Sequence, residues 1–184
     1  MSTAEVVILI VVILVLLAGA AVVAQQASRR RRLRQRFGPE YERVVSDRDN
    51  RKEAEQELVE RERRHAELPI RALPADARDR YAREWLEVQE RFVDSPVEAV
   101  GEADRLVTAA MSDRGYPTEG YEQQLADLSV QHADTLDHYR KAHEISGRAA
   151  SQSAPTEDLR QAMVHYRALF EELLGEQVRS QPPA

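Results

Sequence analysis

The stretch "TEDLRQAMVHYRALFEELLG", residues 156–175, carries the pattern that decides the fold. Its apolar side chains recur at steps of three and four residues, which places them on one face of an α-helix. Thr156 suits the helix N-cap, two acidic residues follow in the first turn, and Gly175 suits the C-terminal stop. The sequence therefore predicts an amphipathic helix that buries one broad face. Its apolar positions are Leu159, Ala162, Met163, Tyr166, Leu169, Phe170 and Leu173.

Two helices of the same kind are predicted upstream, starting at Pro74. The first has Trp85 near the middle of its apolar stripe and reaches residue 94. The second opens at Ser95-Pro96-Val97-Glu98, which matches a capping box followed by proline at the first helical position. Gly115, followed by Tyr116-Pro117, suits the end of that helix.

A longer apolar stripe occupies residues 119–146, and Thr118 suits its N-cap. A helix of about 28 residues would be about 42 Å long, well beyond its neighbours. It must either protrude or bend, and good cap residues between Ser129 and Asp134 mark the place for a bend. A flexible connection is predicted after Ser146, before the helix of residues 156–174. The fold class predicted is all-α, with an antiparallel bundle of about four helices over residues 74–174.

The N-terminal part has a different character. Residues 6–24, "VVILIVVILVLLAGAAVVA", form an unbroken apolar run, long enough as a helix of about 28 Å to cross a bilayer. This predicts a single transmembrane helix in the cell membrane. A cleavable signal peptide is the alternative, because the small residues around Ala18–Ala21 mimic a cleavage signature. Against it, residues 1–5 contain no Lys or Arg and end in an acid.

Arginines follow the apolar run and none precede it. Basic flanks stay in the cytoplasm, so residues 1–5 are predicted outside and the C-terminal body inside. In the juxtamembrane segment, residues 25–38, each arginine can gain about 1 kcal/mol from anionic inner-leaflet lipids, or the group only fixes the topology. The predicted membrane-surface residues are Arg29, Arg30, Arg31, Arg32, Arg34 and Arg36.

Charge dominates the segment after Gly38-Pro39. Residues 39–67 have apolar positions too sparse for a sustained coiled coil, which predicts a mostly exposed helical stalk. Residues 175–184 are predicted to be a flexible tail. Without the six arginines and Glu5, the chain keeps 20 basic and 31 acidic residues, a net charge of −11. That balance disfavours nucleic acid as a partner.

Motifs of known chemistry are absent from the sequence. It has no cysteine, no glycine-rich phosphate loop, no G-x-S-x-G and no H-E-x-x-H. His132 and His143 fall on an apolar stripe and are predicted to be interior, while Asp134 and His138 form an i, i+4 pair typical of a weak surface interaction. Glu62 and His65 form a single E-x-x-H in the stalk. No catalytic, cofactor-binding or metal-ligating residue is therefore predicted, and no resident metal.

Several strings together carry a family resemblance. They are "RFGPEYERVV", "RDRYAREWLEVQERFVDSP", "RGYP", "DLSVQHAD", "YRKAHEI" and "TEDLRQAMVHYRALFEELL". The chain resembles a bacterial, mainly actinobacterial, family of single-pass membrane or secreted proteins to which no activity is assigned. The resemblance implies an N-terminal apolar segment followed by a helical domain, and it implies no catalytic residue.

These observations predict a membrane-anchored cytosolic interaction or scaffold module, not an enzyme. Its partners would be the membrane and an unidentified protein, without nucleic acid, and the oligomeric state is left open. Two alternatives stay open: a histidine-using enzyme or cofactor-binding bundle, and an envelope-stress regulatory protein.

Overall fold

The computed structural model of the chain describes the backbone of residues 3–151 and 154–175, and the side chains within these ranges from residue 13 onward. Its regular structure there is α-helical throughout, which confirms the predicted all-α fold class. The chain divides into two compact units, Met1–Val59 and Glu60–Ala184. The helices are α1 (Thr3–Phe37), α2 (Pro39–Ser46), α3 (Arg51–Glu67), α4 (Ala75–Asp94), α5 (Pro96–Arg114), α6 (Tyr121–Leu128), α7 (Ala133–Ala150) and α8 (Thr156–Leu174).

Helix α1 contains residues 6–24, the predicted transmembrane segment. Among the residues described, no helix has both the length and the apolar character needed to cross a bilayer. The side chains of residues 1–12, which include the first part of that segment, lie outside the described set. So does the predicted tail from residue 176 onward. The transmembrane assignment therefore stays a prediction.

The first unit corrects the prediction of a single exposed stalk over residues 39–67. That segment forms two helices, because short polar side chains interrupt it and Asn50 Oδ1 accepts the Lys52 backbone N–H at 2.9 Å. Several of its apolar positions are buried. Polar contacts link the helices: Tyr41 donates at 2.9 Å to Glu55, which also accepts from Arg30 on α1 at 3.1 Å. Sequence spacing alone did not indicate this association. The buried apolar residues of this unit are Leu33, Phe37, Tyr41, Val44, Ala54 and Leu58.

Contacts near the helix ends give the helix directions in the second unit. Tyr81, early in α4, donates to Asp113, late in α5, at 2.8 Å, so these two helices are antiparallel. Arg114, ending α5, donates to the Leu173 carbonyl near the end of α8 at 3.0 Å, so α5 and α8 run in the same direction. Helices α7 and α8 are antiparallel, with Thr135 of the first turn of α7 bonded to the end of α8. The four long helices thus form the predicted up-and-down bundle, with short α6 added.

The predicted apolar stripe of the last helix forms part of the core. All seven of the positions named for residues 156–174 are buried. Phe170 stacks on Trp85 of α4 with ring centroids 4.8 Å apart, and Tyr166 contacts Tyr139 of α7 edge-on at 6.2 Å. Helix α8 therefore packs against two neighbours through the face that the sequence indicated.

Gly115 ends α5 as predicted. It has φ +96°. The Tyr116 N–H bonds to the Met111 carbonyl at 3.0 Å, which is the 6→1 hydrogen bond of a Schellman motif. A Cβ at this position would lie 2.6 Å from the Pro69 carbonyl oxygen. Glycine is therefore required at position 115 for two reasons: its positive φ, and the close approach of the connection formed by residues 68–74.

The predicted helix of residues 119–146 is broken in the region where a bend was expected. Helix α6 ends at Leu128 and α7 begins at Ala133. Three predicted boundaries were wrong. Helix α6 starts at Tyr121 after Gly120 at φ +85°, so Thr118 is not its cap, and α7 continues to Ala150 instead of ending near residue 146. Ser95 precedes α5 as expected but makes no side-chain capping bond, and Thr156 is the first helical residue and not the cap.

Candidate functional site

His132 lies in the break between α6 and α7, and both nitrogens of its ring have protein partners. Nδ1 lies 2.8 Å from Glu172 Oε1, and Nε2 lies 3.0 Å from the Tyr116 hydroxyl. In a neutral imidazole one nitrogen donates and the other accepts. With the proton on Nδ1, His132 donates to the Glu172 carboxylate. Nε2 and Gln131 Oε1 are then alternative acceptors for the single hydroxyl proton of Tyr116. We name Tyr116, Gln131, His132, Thr135 and Glu172 the His132 cluster.

Four helix ends build this cluster, and Glu172 comes from the last turn of α8. His132 N–H bonds to the Leu128 carbonyl at 2.8 Å, which closes the end of α6 and turns the ring inward, where only 5% of the residue is exposed. Tyr116 follows the glycine stop of α5 and lies 3.0 Å from Gln131 Oε1. The Thr135 hydroxyl, in the first turn of α7, donates to Glu172 Oε2. The break between α6 and α7 thus places the His132 imidazole between the Glu172 carboxylate and the Tyr116 phenol.

The environment fixes the protonation of the two acidic members. Burial alone would raise the pKa of the Glu172 carboxyl, but hydrogen bonds from His132 and Thr135 outweigh it and lower that pKa. Burial raises the pKa of the Tyr116 hydroxyl to about 12, with nearby Arg114 opposing the shift. At neutral pH the cluster therefore holds an ionised carboxylate and a protonated phenol.

A cleft of about 400 Å³ borders the cluster. Arg78 and Arg114 line it together with His132 and Glu172, so its wall carries two cationic residues and one carboxylate. A general base needs a nitrogen that reaches the substrate, and here Tyr116 covers Nε2. The observed geometry is that of a satisfied internal network. The wall is completed by Ala72, Leu73, Gln131, Leu173, Leu174 and Gly175.

A second polar cluster lies between α5, α7 and α8. Asp104 Oδ1 accepts from the Tyr166 hydroxyl at 2.8 Å and lies 3.5 Å from His143 Nδ1. Burial would raise the pKa of the Asp104 carboxyl, but its bonds to His143 and Tyr166 lower it overall. Burial, together with that carboxylate, raises the pKa of Tyr166. The His143 ring stacks on Tyr121 with centroids 4.0 Å apart, at 41% side-chain exposure, so the prediction that His143 is interior was wrong.

Two histidines from different helices meet on the α7–α8 face. His138 Nδ1 lies 2.8 Å from His165 Nδ1, and both side chains are half-buried. Burial, followed by the neighbouring His138 and Lys141, lowers the pKa of His165. The sequence paired His138 with Asp134 on its own helix and missed His165, because only the antiparallel register of α7 and α8 brings the two together. Within the described residues, no group of three or more His, Cys, Asp or Glu side chains is arranged to hold a metal.

His132 was predicted to be interior, and its burial confirms that. His65, of the single E-x-x-H, is also buried, with its ring centroid 6.0 Å from that of Tyr116. It therefore lies beside the His132 cluster and not on an exposed stalk.

The six arginines of the juxtamembrane segment are all exposed on α1. Some also have protein contacts inside the first unit. Arg30 pairs with Glu55, and Arg34 pairs with Glu42 at 3.0 Å while its guanidinium lies 5.2 Å from the Tyr41 ring centroid. The Arg34–Glu42 pair is exposed on both sides and contributes at most about 1 kcal/mol, so Arg34 can exchange its carboxylate for a lipid phosphate at little cost. Glu55 is buried, so loss of Arg30 would leave a buried carboxylate with one partner fewer. The lipid-binding role stays a prediction.

An apolar groove of about 200 Å³ opens between α4 and α8. Its walls are Trp85 and Phe92 on one side and Met163 and Val164 on the other. Val93, on the same helix as Phe92, has 82% of its surface exposed, the largest value among the exposed large apolar residues described. We name Trp85, Phe92, Met163 and Val164 the α4–α8 groove; Val93 is not part of its lining. Gln89, Arg160 and Arg167 complete its lining.

Comparison of the chain with protein-family models, with curated proteins and with solved structures found no match. The chain is therefore described by its structure, as an all-α bundle with an internal histidine network and an apolar groove. The resemblance to the actinobacterial family of single-pass proteins stays a prediction.

Proposed function

We propose that this chain is a membrane-tethered helical interaction module. Residues 6–24 anchor it, the arginines that follow lie at the anionic inner leaflet, and the bundle docks a protein partner in the cytoplasm. The observation that carries the proposal is the distribution of exposed large apolar side chains, most of which lie on α1. Outside α1 the described ones are Leu86, Val93, Val97 and Val164, and of these Val164 lines the α4–α8 groove.

The large apolar side chains described between residues 13 and 23 of α1 have no covering layer. From Ile13 to Val23 the large ones leave 47% to 67% of their surface exposed. Fourteen Val, Ile and Leu residues in residues 6–24 each favour insertion by about 0.3–0.6 kcal/mol, about 6 kcal/mol together. A bilayer covers such a surface, and the arginines that follow it favour a cytoplasmic body. The exposed large apolar residues of α1 are Ile13, Leu14, Val15, Leu16, Leu17, Val22 and Val23.

The α4–α8 groove suits a helical segment of a partner. An apolar groove between two helices accepts the apolar face of a third helix, with side chains inserted at i, i+3 and i+4. Trp85 supplies a large aromatic wall already fixed by stacking on Phe170, so little rotamer entropy is lost on binding. By contrast, the imidazole nitrogens of His132 are engaged within the protein. This contrast favours binding over catalysis.

A histidine-using enzyme or cofactor-binding bundle is the second candidate. The cleft of Arg78 and Arg114 beside His132 favours it, because a ligand there could displace Tyr116 from Nε2. An envelope-stress regulator is a special case of the interaction module, in which the docked partner transmits the signal.

A photo-crosslinking amino acid at Gln89 tests docking in living cells. We expect one discrete crosslinked product, because Gln89 is exposed and lines the groove, so that a partner helix in the groove would cover it. Val164→Glu should abolish the product, since a charge in the groove costs several kcal/mol to desolvate without a partner. Ala66→Glu adds the same charge to an exposed position on α3 and should leave the product unchanged. Loss with both variants, or with neither, contradicts the proposal.

A further inference from the structure

His138 and His165 lie close enough to share one bound ion. Their Nδ1 atoms are 2.8 Å apart, with ring centroids at 5.0 Å and ring planes at 45°. Two neutral imidazoles at this distance share a single proton, because one nitrogen must donate and the other accept. A metal ion can take the place of that proton. Metal–nitrogen bonds of about 2.0–2.1 Å, meeting at about 90–110°, place two ligand nitrogens about 2.8–3.4 Å apart. The observed separation lies at the short end of that range, and metal binding also requires each ring to rotate so that both nitrogens face the ion instead of each other.

Side-chain hydrogen bonds between α7 and α8 hold the two histidines opposite each other. His138 lies on α7 and His165 on α8, and these antiparallel helices are tied at both ends of the pair. On one side Thr135 donates to Glu172, and on the other Arg148 donates to Asp158 at 3.0 Å. Ligands fixed on two rigid helices lose little freedom when an ion binds.

The surroundings permit a cation. Lys141, one turn from His138, is paired with Asp137 at 2.6 Å, so its charge is compensated locally. Both histidines are half-buried, which leaves a path for a hydrated ion. Since the described residues offer no third His, Cys, Asp or Glu to complete a cluster, water fills the remaining positions. We propose that His138 and His165 form an exchangeable site for a late first-row divalent ion, Zn²⁺ or Cu²⁺. Such a site is distinct from a resident metal cofactor, which the sequence does not predict.

Calorimetric titration of the full chain in detergent, purified without a histidine tag, tests this site. We expect about one equivalent of Zn²⁺ to bind, and no Mg²⁺, because imidazole ligands do not suit that harder ion. His138→Ala and His165→Ala should each weaken Zn²⁺ binding at least about tenfold, or about 1.4 kcal/mol. His143→Ala, a histidine of similar exposure on the same helix as His138, should leave the affinity within about twofold. Unchanged affinity in either of the first two variants, or equal weakening in the third, overturns the proposal.

Electron paramagnetic resonance of the Cu²⁺-loaded wild-type chain gives a readout that needs no variant. Two imidazole nitrogens on one Cu²⁺ produce a hyperfine pattern distinct from that of a single nitrogen. The site predicts two, and a pattern from one nitrogen or none would overturn it even if the alanine variants failed to fold.

Discussion

Phe170→Ala should destabilise the bundle by about 3–5 kcal/mol and lower its melting temperature by about 10 °C or more. Phe170 is 2% exposed, stacked on Trp85 and in edge contact with Tyr81 at 6.2 Å. Its loss leaves a cavity that two other aromatic rings cannot close. Because whole domains are stable by about 5–15 kcal/mol, this single change removes a large share. Thermal unfolding of the full chain followed by circular dichroism measures it.

Val164→Ala is the matched control on the same helix. Val164 is 50% exposed, so truncation should cost about 0.5 kcal/mol or less and leave the melting temperature nearly unchanged. An unchanged midpoint for Phe170→Ala would mean that the stripe of α8 is not the core. In that case the apolar stripe of α8 would itself be a candidate docking surface, besides the α4–α8 groove.

Glu172→Gln should cost about 1.5–3 kcal/mol at pH 7, because it removes the charge that His132 and Thr135 both bond. The folded-state pKa of Glu172 lies below the ordinary value of 4.5. Its contribution to stability is therefore fully present above about pH 4.5 and is lost as the pH falls through the folded-state pKa. The stability difference between the wild type and Glu172→Gln should shrink over that acidic range. Denaturant unfolding at a series of pH values measures the difference.

Glu171→Gln carries the same charge change one residue away. Glu171 pairs with Arg167 on the surface of α8 at 39% side-chain exposure, so its loss should cost at most about 1 kcal/mol. Equal costs for the two variants would show that the His132 cluster contributes no more than a surface pair.

Periodicity predicted the core helices well, because burying one face fixes which positions are apolar. All seven positions predicted for residues 156–174 are buried, and the glycine stops at Gly115 and Gly175 lie where expected, each in a left-handed conformation. The break between α6 and α7 was also indicated, by excess length and by cap residues. These features depend on local sequence, which the chain displays directly.

Features that depend on long-range pairing were missed. Nothing within a window of one helix indicates that Glu172 of α8 reaches His132, 40 positions earlier, or that His165 meets His138. The sparse apolar residues of α2 and α3 suggested an exposed stalk, because the association with α1 that the Arg30–Glu55 contact shows is not visible in local sequence. Capping was overpredicted at Ser95 and Thr118, where backbone conformation and proline set the helix start instead.

Membrane sidedness is the central claim, and cysteine accessibility tests it most directly because the chain has no cysteine of its own. Ala66→Cys places one thiol on an exposed position of α3, and Ser2→Cys places one on the other side of the apolar segment. We expect both variants in the carbonate-washed membrane fraction. A membrane-impermeant maleimide should label Ser2→Cys on intact cells and Ala66→Cys only after permeabilisation. Labelling of Ala66→Cys on intact cells, or recovery of the chain in the soluble fraction, would contradict a membrane-tethered cytoplasmic module.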